Sequence, residues 1–227
     1  MPTATTVPSP SLRLVAGLAM AFLLLACTPM TTSNEIADVA DSGLQPVHIP
    51  DQGVAKHKAN PMQGYRIHMT IHDAPGPFGI VRAYAQYDVE NNNDCGPIHP
   101  MTGTASRMTR LEPFALTKLS DTEYEGVVYA DLMQDDDYYG LGVCRWEMVM
   151  ARVVLQAGKE TDTGFMATID TPDLLAGKTI DSYFWKGRYP EVKDLPGYGA
   201  YGSARSENNR SDDELFHVAL VSQEMQK

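Results

Sequence analysis

Tyr65-Arg66-Ile67-His68-Met69-Thr70-Ile71-His72 decides the fold. Tyr65, Ile67, Met69 and Ile71 share one face of an extended chain and Arg66, His68, Thr70 and His72 the other, which is the period-two signature of a half-buried strand. The turn-forming set Asp73-Ala74-Pro75-Gly76-Pro77 follows, and the alternation resumes from Ile80 to Val89. Tyr124 to Leu132 is β-rich through Val127, Val128 and Tyr129. Val143 to Leu155 is the longest apolar segment after the first 30 residues, with Cys144, Trp146, Met148 and Met150 on one face. A helix would fit its length, but Gly142 before it and β-branched residues within it favour a long or bent strand. Thr163–Ile169, Ser182–Trp185 and Leu215–Val221 read as shorter strands, Asp173–Gly177 as a helical turn, and Pro190–Asn209 as an irregular loop. Short strands separated by turn chemistry, with no internal repeat, predict an all-β fold: a single antiparallel β-sandwich over residues 64–227.

Upstream the chain changes character. Thr28 to Gln63 has almost no apolar periodicity and is rich in Pro, Ser, Thr, Asp and Lys, as a flexible tether is. Before it, Leu14 to Ala26 is 13 residues without a polar side chain, and Arg13 is the one charged group ahead of Cys27. That run is too short for a stable bilayer span and has the length of a secretory signal. Leu24-Leu25-Ala26-Cys27 resembles the lipobox of bacterial lipoproteins. The resemblance implies a signal peptide over 1–26, cleavage before Cys27, and acylation of its sulfur and new amino group. Each buried CH₂ is worth about 0.8 kcal/mol and a single acyl chain holds only marginally, so several chains on one residue make a durable anchor. Residues 27–63 are then the lipidated cysteine and its tether. Thr28, where inner-membrane lipoproteins of enteric bacteria carry Asp, implies an outer-membrane anchor facing the periplasm.

Charge narrows the partners. The chain holds 18 basic and 29 acidic side chains. Residues 1–26 contain one basic group and no acidic one, so the rest carries 17 against 29, a net charge of −12. Nucleic acid calls for a basic footprint and is excluded as a partner. A second, polybasic attachment to anionic lipid is disfavoured too. A protein with a basic face fits.

With Cys27 set aside as the lipid carrier, Cys95 and Cys144 remain, and two cysteines in an exported protein usually pair. They stand 49 positions apart. Closing such a loop is worth about 4 kcal/mol on the chain-entropy model. The bridge would tie the Ile80–Val89 strand to the Val143–Leu155 strand, with Trp146 packing near it. The alternative, a metal site on two cysteines, needs two further ligands.

Two acidic runs flank this bridge. Asp88-Val89-Glu90-Asn91-Asn92-Asn93-Asp94 is rich in oxygen ligands of the kind calcium takes, but the EF-hand positions six and twelve hold Asn93 and His99 instead of Gly and Glu. A polar loop ahead of a disulfide is the plainer reading, and no metal or other cofactor is assigned. Asp135-Asp136-Asp137, with Asp131 before it, runs into Tyr138-Tyr139-Gly140-Leu141-Gly142. Solvated loop chemistry accounts for the charges. A recognition surface accounts for both charges and tyrosines, the first steering and the second supplying rigid contact area. The bridge would bring Asp94 and Asp137 to one end of the sandwich, so the candidate partner-binding set is Asp94, Asp135, Asp136, Asp137, Tyr138 and Tyr139.

Catalysis finds little support. The sequence has no G-x-S-x-G elbow, no S-x-x-K, no H-E-x-x-H and no glycine-rich phosphate loop. His68 and His72 lie about 13 Å apart along a strand, too far to share one metal. The run from Tyr87-Asp88 to Asp94-Cys95, then Asp135 to Trp146, resembles the immunity lipoproteins encoded beside antibacterial effectors of type VI or type IV secretion, over residues 87–146. It implies a cofactor-free, non-enzymatic lipoprotein that binds and neutralises a toxin, a phospholipase or a peptidoglycan hydrolase, by covering a basic cleft. The alternative is a structural or assembly lipoprotein of the envelope or of a secretion apparatus.

Overall fold

A computed structural model describes residues 55–226. Cys27, the signal peptide and most of the tether lie outside the described residues. Ten strands form two five-stranded sheets. The first sheet has the order β4 (Leu116–Lys118), β5 (Glu123–Tyr129), β1 (Gly64–His72), β10 (Leu215–Glu224), β8 (Thr179–Trp185), with every neighbouring pair antiparallel. The second runs β3 (Thr109–Pro113), β2 (Ile80–Val89), β6 (Trp146–Gln156), β7 (Gly164–Asp170), β9 (Gly199–Tyr201), antiparallel except for β7 beside β9. Two short helices, α1 (Asn92–Cys95) and α2 (Thr171–Leu175), complete the frame.

The alternation seen in sequence is what packs the sandwich. Ile67, Met69 and Ile71 on β1 and Phe216, Val218 and Leu220 on β10 supply one inner face. Ala83, Ala85 and Tyr87 on β2, Ala151, Val153 and Leu155 on β6, and Phe165, Ala167 and Ile169 on β7 supply the other. Phe165, Phe184 and Phe216 meet pairwise with ring centroids 5.0–5.6 Å apart, the separations that edge and offset contacts prefer.

Strand β6 departs from the expected face. Gln86 pairs with Met150 but Tyr87 pairs with Met148, so Val149 is an extra residue in the ladder. Such a bulge shifts the period-two phase by one. Met148 points into the core, yet Ala151, Val153 and Leu155 carry the inner face from there on. Met150 moves to the outer face, where its sulfur takes a hydrogen bond from Arg152 (3.2 Å). The strand is long and bent, as the sequence suggested, but Cys144 and Met150 are not on one continuous face with Met148. It also starts at Trp146, because Val143–Arg145 close the preceding loop.

The stretch read as the end of the tether is attached to the body. Lys58 N–H donates to the Leu132 carbonyl and Gln134 N–H to that of Lys56. His57 forms a bridge to Met133 and stands 3.1 Å from Glu112 on β3. Residues 55–63 thus form a strap across one end, held by backbone bonds that carry no apolar signature. The loop read as irregular over 190–209 contains β9.

Candidate functional site

Cys95 and Cys144 are bonded, with Cα atoms 5.2 Å apart and no exposed surface. Cys95 ends α1, the turn that follows β2, and Cys144 sits two residues before β6. The bridge is the centre of a small satellite core with Val89 and Met108, against which Tyr138, Tyr139 and Trp146 pack. It fastens the loops 90–108 and 130–145 to each other at one end of the sandwich.

Around the bridge the polar side chains are spent on backbone. Asn91 accepts a bond from Arg145 N–H (2.8 Å) and donates to the Val143 carbonyl (2.9 Å). Asn92 accepts from Met108 N–H (2.8 Å) and Asn93 from Ala105 N–H (3.0 Å). Asp88 is buried and paired with Arg107. The side-chain oxygens of Asp88, Asn91, Asn92 and Asn93 are therefore engaged, and no cluster of three or more His, Cys, Asp or Glu suited to a metal occurs among the described residues.

The acidic loop is organised in the same way. Asp131 accepts from the amides of Met62 (3.1 Å) and Gln63 (2.9 Å) and lies 3.5 Å from Lys58 Nζ. Burial pushes its carboxyl up, but the two amides and the ammonium outweigh that and hold it below the usual carboxylate range. Asp135 accepts from Trp146 N–H at 2.9 Å. Asp136 is ion-paired with Lys56 at 2.7 Å, and that bond, helped by the Asp137 amide, keeps its pKa low. One oxygen of Asp137 takes both the Leu141 and Gly142 amides, at 3.0 and 3.2 Å. The turn it caps contains Gly140 and Gly142, both at positive φ, and a Cβ on Gly142 would lie 3.2 Å from the Asp94 carbonyl.

The two acidic runs do meet. Arg145 is held charged first by Glu90, which it contacts at 2.6 Å, with Asp94 and Asp135 adding to the field. Asp94, Asp135 and Asp137 are exposed. The tyrosines are placed differently from the sequence expectation: both are half-buried. Tyr138 donates its hydroxyl to the Gln134 carbonyl and meets Trp146 edge-on at 6.4 Å. Tyr139 packs on the disulfide cluster. The exposed apolar groups of this loop are Leu141 (56 %) and Val143 (53 %), and the adjoining loop after α1 adds Ile98 and Met101. Sequence reading passed over these aliphatics, and over Lys56, which lay in the supposed tether. Leu141 and Val143 flank a glycine, Gly142, two positions before a cysteine, and that juxtaposition was the available signal.

His68 and His72 stand on the outer face of β1. His72 stacks on His217 at 4.3 Å, and His217 on Tyr183 at 4.8 Å, across three strands. Burial, and then the neighbouring His72, lower the His217 pKa.

Among the described residues no helix is long and apolar enough to cross a membrane. No family model matches the chain, and no curated protein or solved structure matches it either.

Proposed function

We propose that this protein is a lipid-anchored, periplasm-facing envelope protein that binds and neutralises a protein toxin through the disulfide-tied end of its sandwich. The observation that carries the reading is a contrast within one loop. Residues 135–145 are clamped by the disulfide, by Asp135 and Asp137 on backbone amides, and by the Asp136–Lys56 pair, yet Leu141 and Val143 are more than half exposed. A rigid apolar tip loses little conformational entropy on docking, and a surrounding acidic rim steers a basic partner toward it. Binding needs no cofactor, and the lipobox-like Leu24–Cys27 supports attachment to the bilayer through acylated Cys27.

The test is association of the full chain with the toxin candidate encoded beside its gene, followed by surface-bound kinetics, together with growth protection when that toxin is directed to the periplasm. Leu141→Ala with Val143→Ala is expected to weaken binding by at least about tenfold, mostly through faster dissociation, and to abolish protection. Wild-type affinity in that double variant removes this surface as the interface. A wild-type chain that neither binds nor protects removes the toxin reading and favours an assembly role in the envelope.

A further inference from the structure

On the outer face of the second sheet, strands β2, β6, β7 and β9 line a partly open cavity of about 310 Å³ that shares no residue with the acidic loop. Its size lies at the small end of the ~300–1,000 Å³ range of small-molecule sites. It exists because three of its lining positions, Gly164, Gly197 and Gly199, carry no side chain. At Gly199 a Cβ would come within 2.7 Å of the Met166 methyl, so a side chain there would push the end of Met166 aside and narrow the space.

The polar groups at its rim are specific in kind. Arg82 donates to Gln156 at 3.1 Å and pairs with Glu160, so a cation and an anion stand side by side. Gln156 spends its amide nitrogen on the Glu160 and Asp162 carbonyls, and its oxygen on Arg82. What remains for a ligand is a donor from Arg82 next to an acceptor from Glu160. A hydroxyl group, which both donates and accepts, fits that pair. An anion would meet Glu160 and a cation Arg82. Tyr84 also lines the cavity, and its buried hydroxyl has no hydrogen-bond partner among the described residues. An unspent buried group is costly, and a ligand hydroxyl reached by a small shift of neighbouring side chains would recover that cost. Tyr201 closes the opposite side with 60 % of its surface exposed. The Arg152 guanidinium, 5.4 Å from the Tyr201 ring and 6.0 Å from that of Tyr84, steadies both rings.

We propose that this cavity is a binding site for a neutral saccharide of one or two rings. The C–H face of a sugar would lie on Tyr201, one hydroxyl would bridge Arg82 and Glu160, and another would reach Tyr84. The inference is independent of toxin binding, since the two sites share no residue.

The experiment is ligand-observed saturation-transfer NMR on the full chain, in a detergent without a sugar headgroup. The probes are cellobiose, maltose and di-N-acetylchitobiose, with glucuronate and glucosamine as charged controls. Transfer is expected from at least one neutral disaccharide, competed poorly by both controls. Tyr201→Ala and Tyr84→Phe are each expected to weaken that binding about two- to tenfold. Both variants should fold, because Tyr201 is largely exposed and phenylalanine keeps the Tyr84 ring; thermal melts followed by circular dichroism check this. Absence of transfer from every neutral disaccharide, preference for a charged control, or undiminished binding in both folded variants overturns the proposal.

Discussion

Asp137 serves two roles that substitution can separate. Its carboxylate caps the Leu141 and Gly142 amides, and it also carries a charge exposed beside the loop tip. Asparagine keeps the accepting oxygen and loses the charge; alanine loses both. Asp137→Asn is therefore expected to leave the denaturant midpoint unchanged while slowing association with a basic partner and flattening its salt dependence. Asp137→Ala is expected to lower stability by about 1 kcal/mol as well, the ordinary cost of a lost backbone cap. Urea unfolding of the two variants beside stopped-flow binding reads both effects. A stability loss in the asparagine variant equal to that of alanine would show that the charge, not the cap, holds the turn. The cysteine pairing was legible in the sequence because setting Cys27 aside left two cysteines in a chain whose first residues read as an export signal. The roles of the aspartates were not. A carboxylate caps whichever amide the turn leaves unpaired, and that is known only once the turn closes.

At the scale of elements, β1 and β2 were readable because each keeps one phase of alternation from end to end. β4 and β9 have three residues each, and β3 has five and ends in Pro113, so none offers enough repeats to display a period. In β6 the pattern is present but changes phase at Val149, and an uninterrupted reading puts Met150 on the wrong face. Met148→Ala is expected to cost about 2–4 kcal/mol through the cavity it leaves, and Met150→Ala under about 1 kcal/mol. Chemical denaturation of the two variants decides the point, and equal losses would deny the bulge its phase shift. The strap over residues 55–63 went unread since its bonds are backbone to backbone or run to acidic side chains distant in sequence, Glu112, Asp131 and Asp136. Asp131 makes it sensitive to acid. Its pKa is lower in the folded chain than the ordinary value of about 3.9, so its stabilisation is complete above that value and is lost as the pH falls through the folded pKa below it. Asp131→Asn is expected to be less stable than wild type at neutral pH, with the gap narrowing as the pH drops below about 4. Denaturant midpoints measured from pH 7 to pH 2 trace it, and a gap independent of pH would mean that the hydrogen bonds alone, without the charge, fix the strap.

The molecule as a whole joins distant segments: β1 pairs with β10 some 150 positions away, and β9 reaches back to β7. Hydrophobic alternation specifies which face of a strand is inward but not which strand lies beside it, so the sheet orders 4-5-1-10-8 and 3-2-6-7-9 could be read only from the structure. The Cys95–Cys144 bond is the one long-range constraint that the sequence announced, and it lies outside the main core. The sandwich interior is built from both sheets without it, whereas the satellite core around Val89, Met108, Tyr138, Tyr139 and Trp146 depends on it. Removing it should therefore act unevenly. Cys95→Ser with Cys144→Ser is expected to cost about 2–5 kcal/mol in global stability, since the constraint on the unfolded chain is lost. Amide exchange should accelerate far more in residues 90–108 and 130–145 than in β1, β2, β7 and β10, because local opening of that end no longer requires the sandwich to unfold. Binding to a protein partner should weaken at temperatures where the variant is still fully folded, as the tip bearing Leu141 and Val143 would then have to be ordered on docking. Hydrogen exchange with mass spectrometry, run beside affinity measurements well below the melting transition, tests the three together. Uniformly faster exchange across both sheets would make the bridge a staple of the whole fold. Faster exchange confined to the loops with unchanged affinity would separate the disulfide from recognition, and the contact surface would then have to be sought away from this end.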